Sequence, residues 1–230
     1  MTTAAALAAN PLWYATRAGG TIALVLLTAT VALGIAVGGQ AAPRIVGRFE
    51  VGLLHRNLAA LSLAFLGLHI ATAAVDPYTH LGWTVAVVPF TSSYRPLWLG
   101  LGTVAFDLLL AVAITSALRL RLGRRRWKAV HWLAYAAWPV GLFHALGTGT
   151  DTRLPFQLWL YATCLATVAA AAGWRLHRAG PGHRAARLGG GLLVGAVPVS
   201  VTAFLASGPL RAGWSHSAAA LTLAALGGLR

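Results

Sequence analysis

The sequence predicts an all-α polytopic membrane protein, a bundle of six transmembrane helices, from its composition, its long apolar segments and the placement of its basic residues. Hydrophobic residues make up 58% of the 230 residues, and charged residues only 10%. A helix needs about 20 predominantly apolar residues to cross the hydrocarbon core of a bilayer. Six segments meet this requirement, at residues 19–41, 51–75, 96–118, 127–147, 155–175 and 189–207.

These spans leave room for only one domain. Residues 1–18 are predicted to be an N-terminal interfacial segment, since Trp13 and Tyr14 are residue types that favour the membrane boundary. Residues 19–207 form the transmembrane domain, and residues 208–230 form a short extracytoplasmic tail. We expect any nucleotide-binding fold that the chemistry needs to belong to another protein.

The basic residues predict how the chain is oriented. A net charge of +14 would suggest nucleic acid in a soluble protein, but here most basic residues cluster in three loops between spans, so no nucleic-acid partner is expected. Loops rich in Lys and Arg stay in the cytoplasm. The expected topology therefore has several crossings and both termini extracytoplasmic. Because arginine far outnumbers lysine and Ala and Gly are abundant, as in a GC-rich bacterial genome, the expected location is a bacterial plasma membrane. The clustered residues are Arg44, Arg48, Arg56, Arg119, Arg121, Arg124, Arg125, Arg126, Lys128, Arg175, Arg178, Arg184 and Arg187.

Four intramembrane histidines are the most specific feature of the chain. His55 and His69 lie 14 residues apart in the second span, and His131 and His144 lie 13 apart in the fourth. Both spans are expected to start at the cytoplasm, so each level receives one histidine from each helix, and the levels lie about 20 Å apart. Cys164 is the single cysteine, so this chain alone cannot ligate an iron–sulfur cluster. Because haem iron in an electron carrier takes two axial ligands, the pattern predicts two b haems: an inner haem on His55 and His131, and an outer haem on His69 and His144.

The unequal spacing predicts a bent fourth span. On a straight helix, 13 residues turn a side chain about 140° away from its starting face. Pro139 and Gly141 lie between His131 and His144, where a kink or a local change of winding would bring the two imidazoles to the same side. The alternative is that each histidine only forms a hydrogen bond with a neighbouring helix.

These motifs resemble the ferric reductase-like transmembrane family, which includes ferric reductases, NADPH oxidases and the haem-binding membrane subunit of bacterial methionine sulfoxide reductase systems. The resemblance rests on His55-Arg56 followed by His69, and on His131 followed by His144, and it covers about residues 51–175. It implies a six-helix haem b protein that passes electrons from the cytoplasmic face to an acceptor outside. We expect no attached flavin or NADPH domain, and a further span follows residue 188, so the expected donor is a separate flavin/NAD(P)H reductase.

Several other side chains have two possible roles each. Arg56, Arg126 and Lys128 lie next to the inner ligands, where they are expected to pair with haem propionates, although the positive-inside rule also explains them; Arg56 is the preferred partner. Phe65 and Trp138 lie midway between the two levels, where they would fill the gap between the haems or pack in the core.

The acids also have two readings. Asp107 lies near the middle of the third span, and an intramembrane acid suggests proton movement or a hydrogen-bonded neutral carboxyl. Asp76, His80 and Asp151 lie at the outer side, where loop capping is favoured over a metal site. The basic segment from Arg119 to Lys128 either docks an acidic reductase or attracts anionic lipid.

The expected function is therefore an oxidoreductase subunit, a bis-haem b protein that carries electrons from a cytoplasmic flavoprotein to ferric iron, oxygen or a partner protein outside. One alternative is a quinol-oxidising cytochrome b subunit. The others are a histidine-based metal or ion transporter without haem, which would use Asp107 as a proton relay, and a non-catalytic membrane scaffold.

Overall fold

The structure is a computed structural model that describes residues 11–38, 47–77, 81–178 and 184–214. All regular elements of this part of the chain are helical, as the sequence predicts. They are α1 (Pro11–Gly38), α2 (Arg48–Val75), α3 (Gly82–Val87), α4 (Pro96–Ala117), α5 (Arg119–His131), α6 (Ala134–Thr148), a 3-10 turn (Thr150–Arg153), α7 (Pro155–Arg178) and α8 (Arg184–Ser207).

Five helices are long and apolar enough to cross a membrane, judged by length and composition: α1, α2, α4, α7 and α8. They match five of the six predicted spans. The predicted fourth span, residues 127–147, is instead divided between α5 and the 15-residue α6. Helix length alone therefore supports five crossings, and the sixth depends on where the α5–α6 unit lies in the bundle.

The helices pack as neighbours in two main pairs. α1 packs most extensively against α2, and α4 packs against α6, while α7 contacts α1 and α8 lies against α7. The short α3 contacts both α2 and α4, and it is tied to α4 by a hydrogen bond from Thr103 Oγ1 to the Val85 carbonyl at 2.7 Å. The core lies where α6 meets α1 and α7: Leu142 and Leu146 are fully buried there, next to Tyr161.

The α5–α6 unit contains two irregularities. α5 breaks at Gly123, whose φ of +74° is a conformation that glycine adopts without a Cβ clash. Between α5 and α6 the backbone tightens: Leu133 N–H donates to the Val130 carbonyl at 2.9 Å, and Ala136 N–H donates to the Leu133 carbonyl at 3.0 Å. Such i to i+3 bonds wind the chain at about 120° per residue, against about 100° in an α-helix.

This tight winding provides the change of direction that the histidine spacing predicts. Over about four residues it adds roughly 80° of rotation, which reduces the angular offset between His131 and His144 from about 140° to about 60°. Of the two causes that the sequence offered, a kink and a local change of winding, the structure shows the change of winding at residues 130–136, while Pro139 lies inside α6.

Two predicted features fall partly outside the described residues. α1 begins at Pro11, so residues 11–18 of the predicted interfacial segment are helical and continuous with the first span. His80, His183 and His216 lie outside the described residues, as does most of the first basic loop. His177 lies in the last turn of α7 with an exposed side chain.

Candidate functional site

The four intramembrane histidines form two pairs. The ring centroids of His55 and His131 are 6.2 Å apart with an interplanar angle of 64°. Those of His69 and His144 are also 6.2 Å apart, with an angle of 77°. The structure therefore brings together the pairs that the sequence predicts, and α2 runs parallel to the α5–α6 unit.

Three of the four rings are oriented by a backbone carbonyl. The Nδ1–H of His55 donates to the Thr30 carbonyl at 3.0 Å, and that of His69 donates to the Thr16 carbonyl at 2.7 Å. The Nδ1–H of His144 donates to the Trp98 carbonyl at 2.8 Å. Because a carbonyl only accepts hydrogen bonds, Nδ1 carries the proton in each case, and Nε2 keeps the lone pair with which a neutral imidazole binds a metal.

A glycine lies one turn beyond each of these carbonyls. An added Cβ at Gly34 would lie 3.2 Å from His55 Cε1, one at Gly20 would lie 2.8 Å from His69 Nδ1, and one at Gly102 would lie 2.5 Å from His144 Nδ1. In a helix the carbonyl of residue i accepts the N–H of residue i+4. A glycine at i+4 leaves the second lone pair of that carbonyl open to an incoming ring. We call each combination of carbonyl and glycine a histidine cradle.

These cradles were not predicted from the sequence, although a signal was present. Thr16 and Thr30 lie 14 residues apart, as do Gly20 and Gly34, and this is the spacing of His55 and His69 on the antiparallel neighbour. In the sequence Gly34 has the pattern of an ordinary small-residue packing position. Its contact with the His55 ring can be inferred only by comparing the 14-residue spacing of the glycines in α1 with that of the histidines in α2.

His131 is held differently. Its Nδ1 is buried and has no hydrogen-bond partner among the described residues. The ring lies against Trp127, with centroids 5.1 Å apart and planes inclined by 33°. The Trp127 Nε1–H in turn donates to Ser116 Oγ at 3.2 Å. Aromatic contact therefore positions His131 in place of a cradle.

The two pairs open into a shared cavity of about 2040 Å³. Ligand pockets usually measure about 300–1,000 Å³, so the space exceeds the need of one ordinary ligand. Its walls come from α1 to α6, with the first turns of α7 at one end and Arg175, in the last turn of α7, at the other. None of the described side chains of α8 lines it, and α8 instead supplies Val201 to the core.

Basic side chains surround the end of the cavity at His55 and His131. Of the residues that the sequence analysis proposed there, Arg56 and Lys128 line the cavity and Arg126 does not. Arg119 and Arg124 take part instead, as does Arg175, whose guanidinium donates to the Ile35 carbonyl at 3.1 Å. This end offers several cations to a carboxylate.

The other end, near His69 and His144, is electrically more balanced. The Arg17 guanidinium forms an ion pair with Asp151 at 3.1 Å and lies 4.7 Å from the centroid of the Trp13 ring. Asp76 is buried and also lines the cavity. Among the described residues no three His, Cys, Asp or Glu side chains converge as a metal site, and His80 of the suggested set lies outside those residues.

The two aromatic residues expected between the histidine pairs do not line the middle of the cavity. Trp138 is buried outside the cavity and donates from Nε1 to Thr28 Oγ1 at 2.9 Å, and Phe65 does not line the cavity either. Phe106 on α4 and Tyr135 on α6 are aromatic residues between the two levels that do line it. Asp107, the neighbour of Phe106, is exposed on the outward side of α4, away from the cavity.

Comparison with known proteins agrees with this architecture. Residues 19–142 match the family described as the ferric reductase like transmembrane component. The protein-methionine-sulfoxide reductase heme-binding subunit MsrQ of Ralstonia nicotianae is 28% identical over 190 residues, which make up 80% of this chain and 79% of the relative. No solved structure matches the chain significantly. Because the family match covers more than half of the sequence and includes three of the four paired histidines, the chain belongs to the ferric reductase-like transmembrane family.

Proposed function

We propose that this protein is a bis-haem b subunit that carries electrons across a bacterial plasma membrane. Membership of the ferric reductase-like family supports transmembrane electron transfer, and the relative from Ralstonia nicotianae is named as a heme-binding subunit of a reductase. The histidine pairs support the number of haems and their positions.

The observation that carries the proposal is the geometry of the two pairs. Two metal–nitrogen bonds of about 2 Å plus the two ring radii add to about 6 Å between ring centroids. Both pairs have a centroid separation of 6.2 Å. The separation therefore supports one iron between His55 and His131 and another between His69 and His144.

The small number of protein ligands favours haem over a bare ion. Transition-metal ions in proteins usually take four or more ligands, but each level here supplies two imidazoles. Within the described residues no third histidine, cysteine or carboxylate completes either site. A porphyrin provides the four missing nitrogens, so a histidine-based ion transporter is the weaker interpretation.

The residues of the cavity have separate tasks in this function. When bound, each haem iron exchanges one electron between its ferric and ferrous states. His55, His69, His131 and His144 bind the two irons. Arg56, with Arg124 and Lys128, neutralises the carboxylates of the inner haem, and the apolar walls exclude water from the path.

The charge asymmetry indicates which end of the cavity faces the cytoplasm. The basic end, next to His55 and His131, faces the cytoplasm by the positive-inside rule and receives electrons from a separate flavin/NAD(P)H reductase. The end next to His69 and His144 delivers them to ferric iron, oxygen or a partner protein outside. A membrane potential that is negative inside favours this direction by about 2.3 kcal/mol per electron and 100 mV.

The first experiment is to count the haems. The full chain, expressed with sufficient haem and purified in detergent, should show a b-type reduced-minus-oxidised spectrum and two haems per chain by pyridine haemochrome. His69→Ala and His55→Ala should each reduce the count to one, while His177→Ala, at an exposed position, should leave it at two. A colourless wild-type protein would contradict the proposal and support ion transport.

A second experiment identifies the donor. Vesicles that contain the chain are supplied either with NADH and a flavin reductase or with a quinol, and haem reduction is followed at the Soret band. Reduction by the flavoprotein, at the face that carries Arg124 to Lys128, is the expected result. Reduction by quinol alone would replace the flavoprotein with the membrane quinol pool as the donor.

A further inference from the structure

We propose that His131 is the exchangeable ligand among the four, so that the inner haem opens a coordination position to a small neutral ligand while the outer haem stays closed. This inference rests on the two-haem function proposed above. It follows from the unequal support of the four imidazoles.

Three ligands have the same support. His55, His69 and His144 each lie in a cradle, with Nδ1–H directed to a helix carbonyl 2.7 to 3.0 Å away. A hydrogen bond of this kind fixes the ring orientation and raises the basicity of the metal-bound nitrogen. Both ligands of the outer haem have this support, and so does the α2 ligand of the inner haem.

The fourth cradle is absent for a local reason. On α4 the positions 14 residues beyond Trp98 and Gly102 are Val112 and Ser116. Ser116 carries the side chain that a cradle excludes, and its hydroxyl accepts the Trp127 Nε1–H at 3.2 Å. The Val112 carbonyl already accepts a weak bond from Thr115 Oγ1 at 3.3 Å. Trp127 therefore lies next to His131, whose Nδ1 is buried without a partner among the described residues.

The position of His131 in the chain adds to this weakness. It is the last residue of α5, and the tight turn into α6 follows directly. Its ring therefore depends on a helix end and on the contact with Trp127. Loss of an outer-shell hydrogen bond usually lowers metal affinity by about 10- to 100-fold. The bond from His131 to iron should open more often than the other three by a similar factor.

Carbon monoxide provides a direct test, because it binds ferrous haem only where an axial position opens. The full chain is first shown to hold two haems, then reduced with dithionite and titrated with carbon monoxide while the Soret band is recorded. The wild type should bind one carbon monoxide per chain. Gly102→Ala, which removes the cradle of His144, should raise this to two.

Matched glycine variants serve as controls. Gly34→Ala weakens the other ligand of the same inner haem, so the count should stay at one. Gly67→Ala adds a Cβ with nothing within 4 Å and should also leave it at one. If Gly102→Ala does not retain two haems, Gly20→Ala tests the outer haem through His69 and should likewise give two.

The outcomes separate this inference from the function on which it rests. Two haems with no bound carbon monoxide, or with two bound in the wild type, would overturn the exchangeable-ligand inference and leave the conduit intact. If Gly102→Ala and Gly20→Ala both still bind one carbon monoxide per chain, the cradles do not keep the outer haem closed. Fewer than two haems per chain would overturn the conduit and the inference together.

Discussion

The absence of a side chain makes room for a histidine ring at three glycines, Gly20, Gly34 and Gly102. Each leaves a helix carbonyl open at the depth of a histidine, and each would place a Cβ within 3.2 Å of that ring if it were alanine. The carbonyl is already paired within its own helix, so the hydrogen bond to the imidazole leaves no donor of α1 or α4 unpaired. At these positions packing and chemistry depend on the same missing atom.

Arg56 and Arg126 form a matched pair for a test at this scale. Both are exposed, and the sequence places both next to an inner ligand, but only Arg56 lines the cavity. Arg56→Gln should therefore speed transfer of the inner haem to apomyoglobin by about fivefold, as expected for the loss of roughly 1 kcal/mol at a solvent-screened site. Arg126→Gln should transfer haem at the wild-type rate. Equal rates in the two variants would rule out a specific role for Arg56 in haem binding.

Asp107 provides a second test. Its side chain is exposed and points away from the cavity, so Asp107→Asn should retain two haems and an unchanged reduced-minus-oxidised spectrum. Proton-coupled reduction would instead make the pH dependence of the haem midpoint potential different in Asp107→Asn. A redox titration at several pH values measures this directly.

The residues differ in how far sequence could predict them. The histidine pairing follows from residue spacing and membrane topology, and both can be determined from the linear sequence. Arg124 and Phe106 line the cavity, whereas Arg126 and Trp138 do not. Which side chain faces the cavity depends on how each helix is rotated about its axis. Rotation around α5 changes at Gly123, so a regular helical pattern could not give it. The open Nδ1 of His131 depends on that same rotation and on the side chain at position 116.

Among the elements, the α5–α6 unit shows how a short irregular segment sets the register of a site. Three i to i+3 hydrogen bonds between Val130 and Ala136 turn the outer histidine back towards α2. Sequence reasoning predicted the bend from the 13-residue spacing. It offered a kink or a local change of winding near Pro139 and Gly141. The tight winding lies a few residues earlier, because such winding has no simple sequence signal that marks its position.

An insertion tests this register. One alanine added after Leu133 rotates α6 by about 100° and shifts it by about 1.5 Å relative to α5. His144 then leaves the side of His69, and the haem count should fall from two to one by pyridine haemochrome. Pro139→Ala changes the residue but not the register, and it should keep two haems. Loss of haem in Pro139→Ala instead would assign the bend to proline.

At the scale of the whole molecule, the histidine pairs bear on the number of crossings. His131 lies beside His55 and His144 beside His69, so the α5–α6 unit covers the same depth as the middle of α2. A unit that matches a spanning helix at two levels supports a sixth crossing, although neither of its helices alone is a long apolar helix. Six crossings place both termini on the same side.

Cysteine labelling tests this topology. In a Cys164→Ala background, single cysteines at Ala4, Arg125 and Arg230 are treated in intact cells with a membrane-impermeant maleimide. The cysteines at positions 4 and 230 should react before lysis, and the cysteine at position 125 should react only after it. Reaction of only one terminus before lysis would indicate five crossings.

α1 and α2 share a 14-residue period, and this period fixes the distance between the two histidine pairs. Fourteen residues are two heptads, the repeat that keeps two helices in contact along one seam through a gentle left-handed supercoil. The cradles at Gly20 and Gly34 and the histidines at positions 55 and 69 follow that repeat together. The distance between the two histidine pairs is thus set in steps of about 10 Å per heptad. Any change in that distance requires the same change in both helices at once.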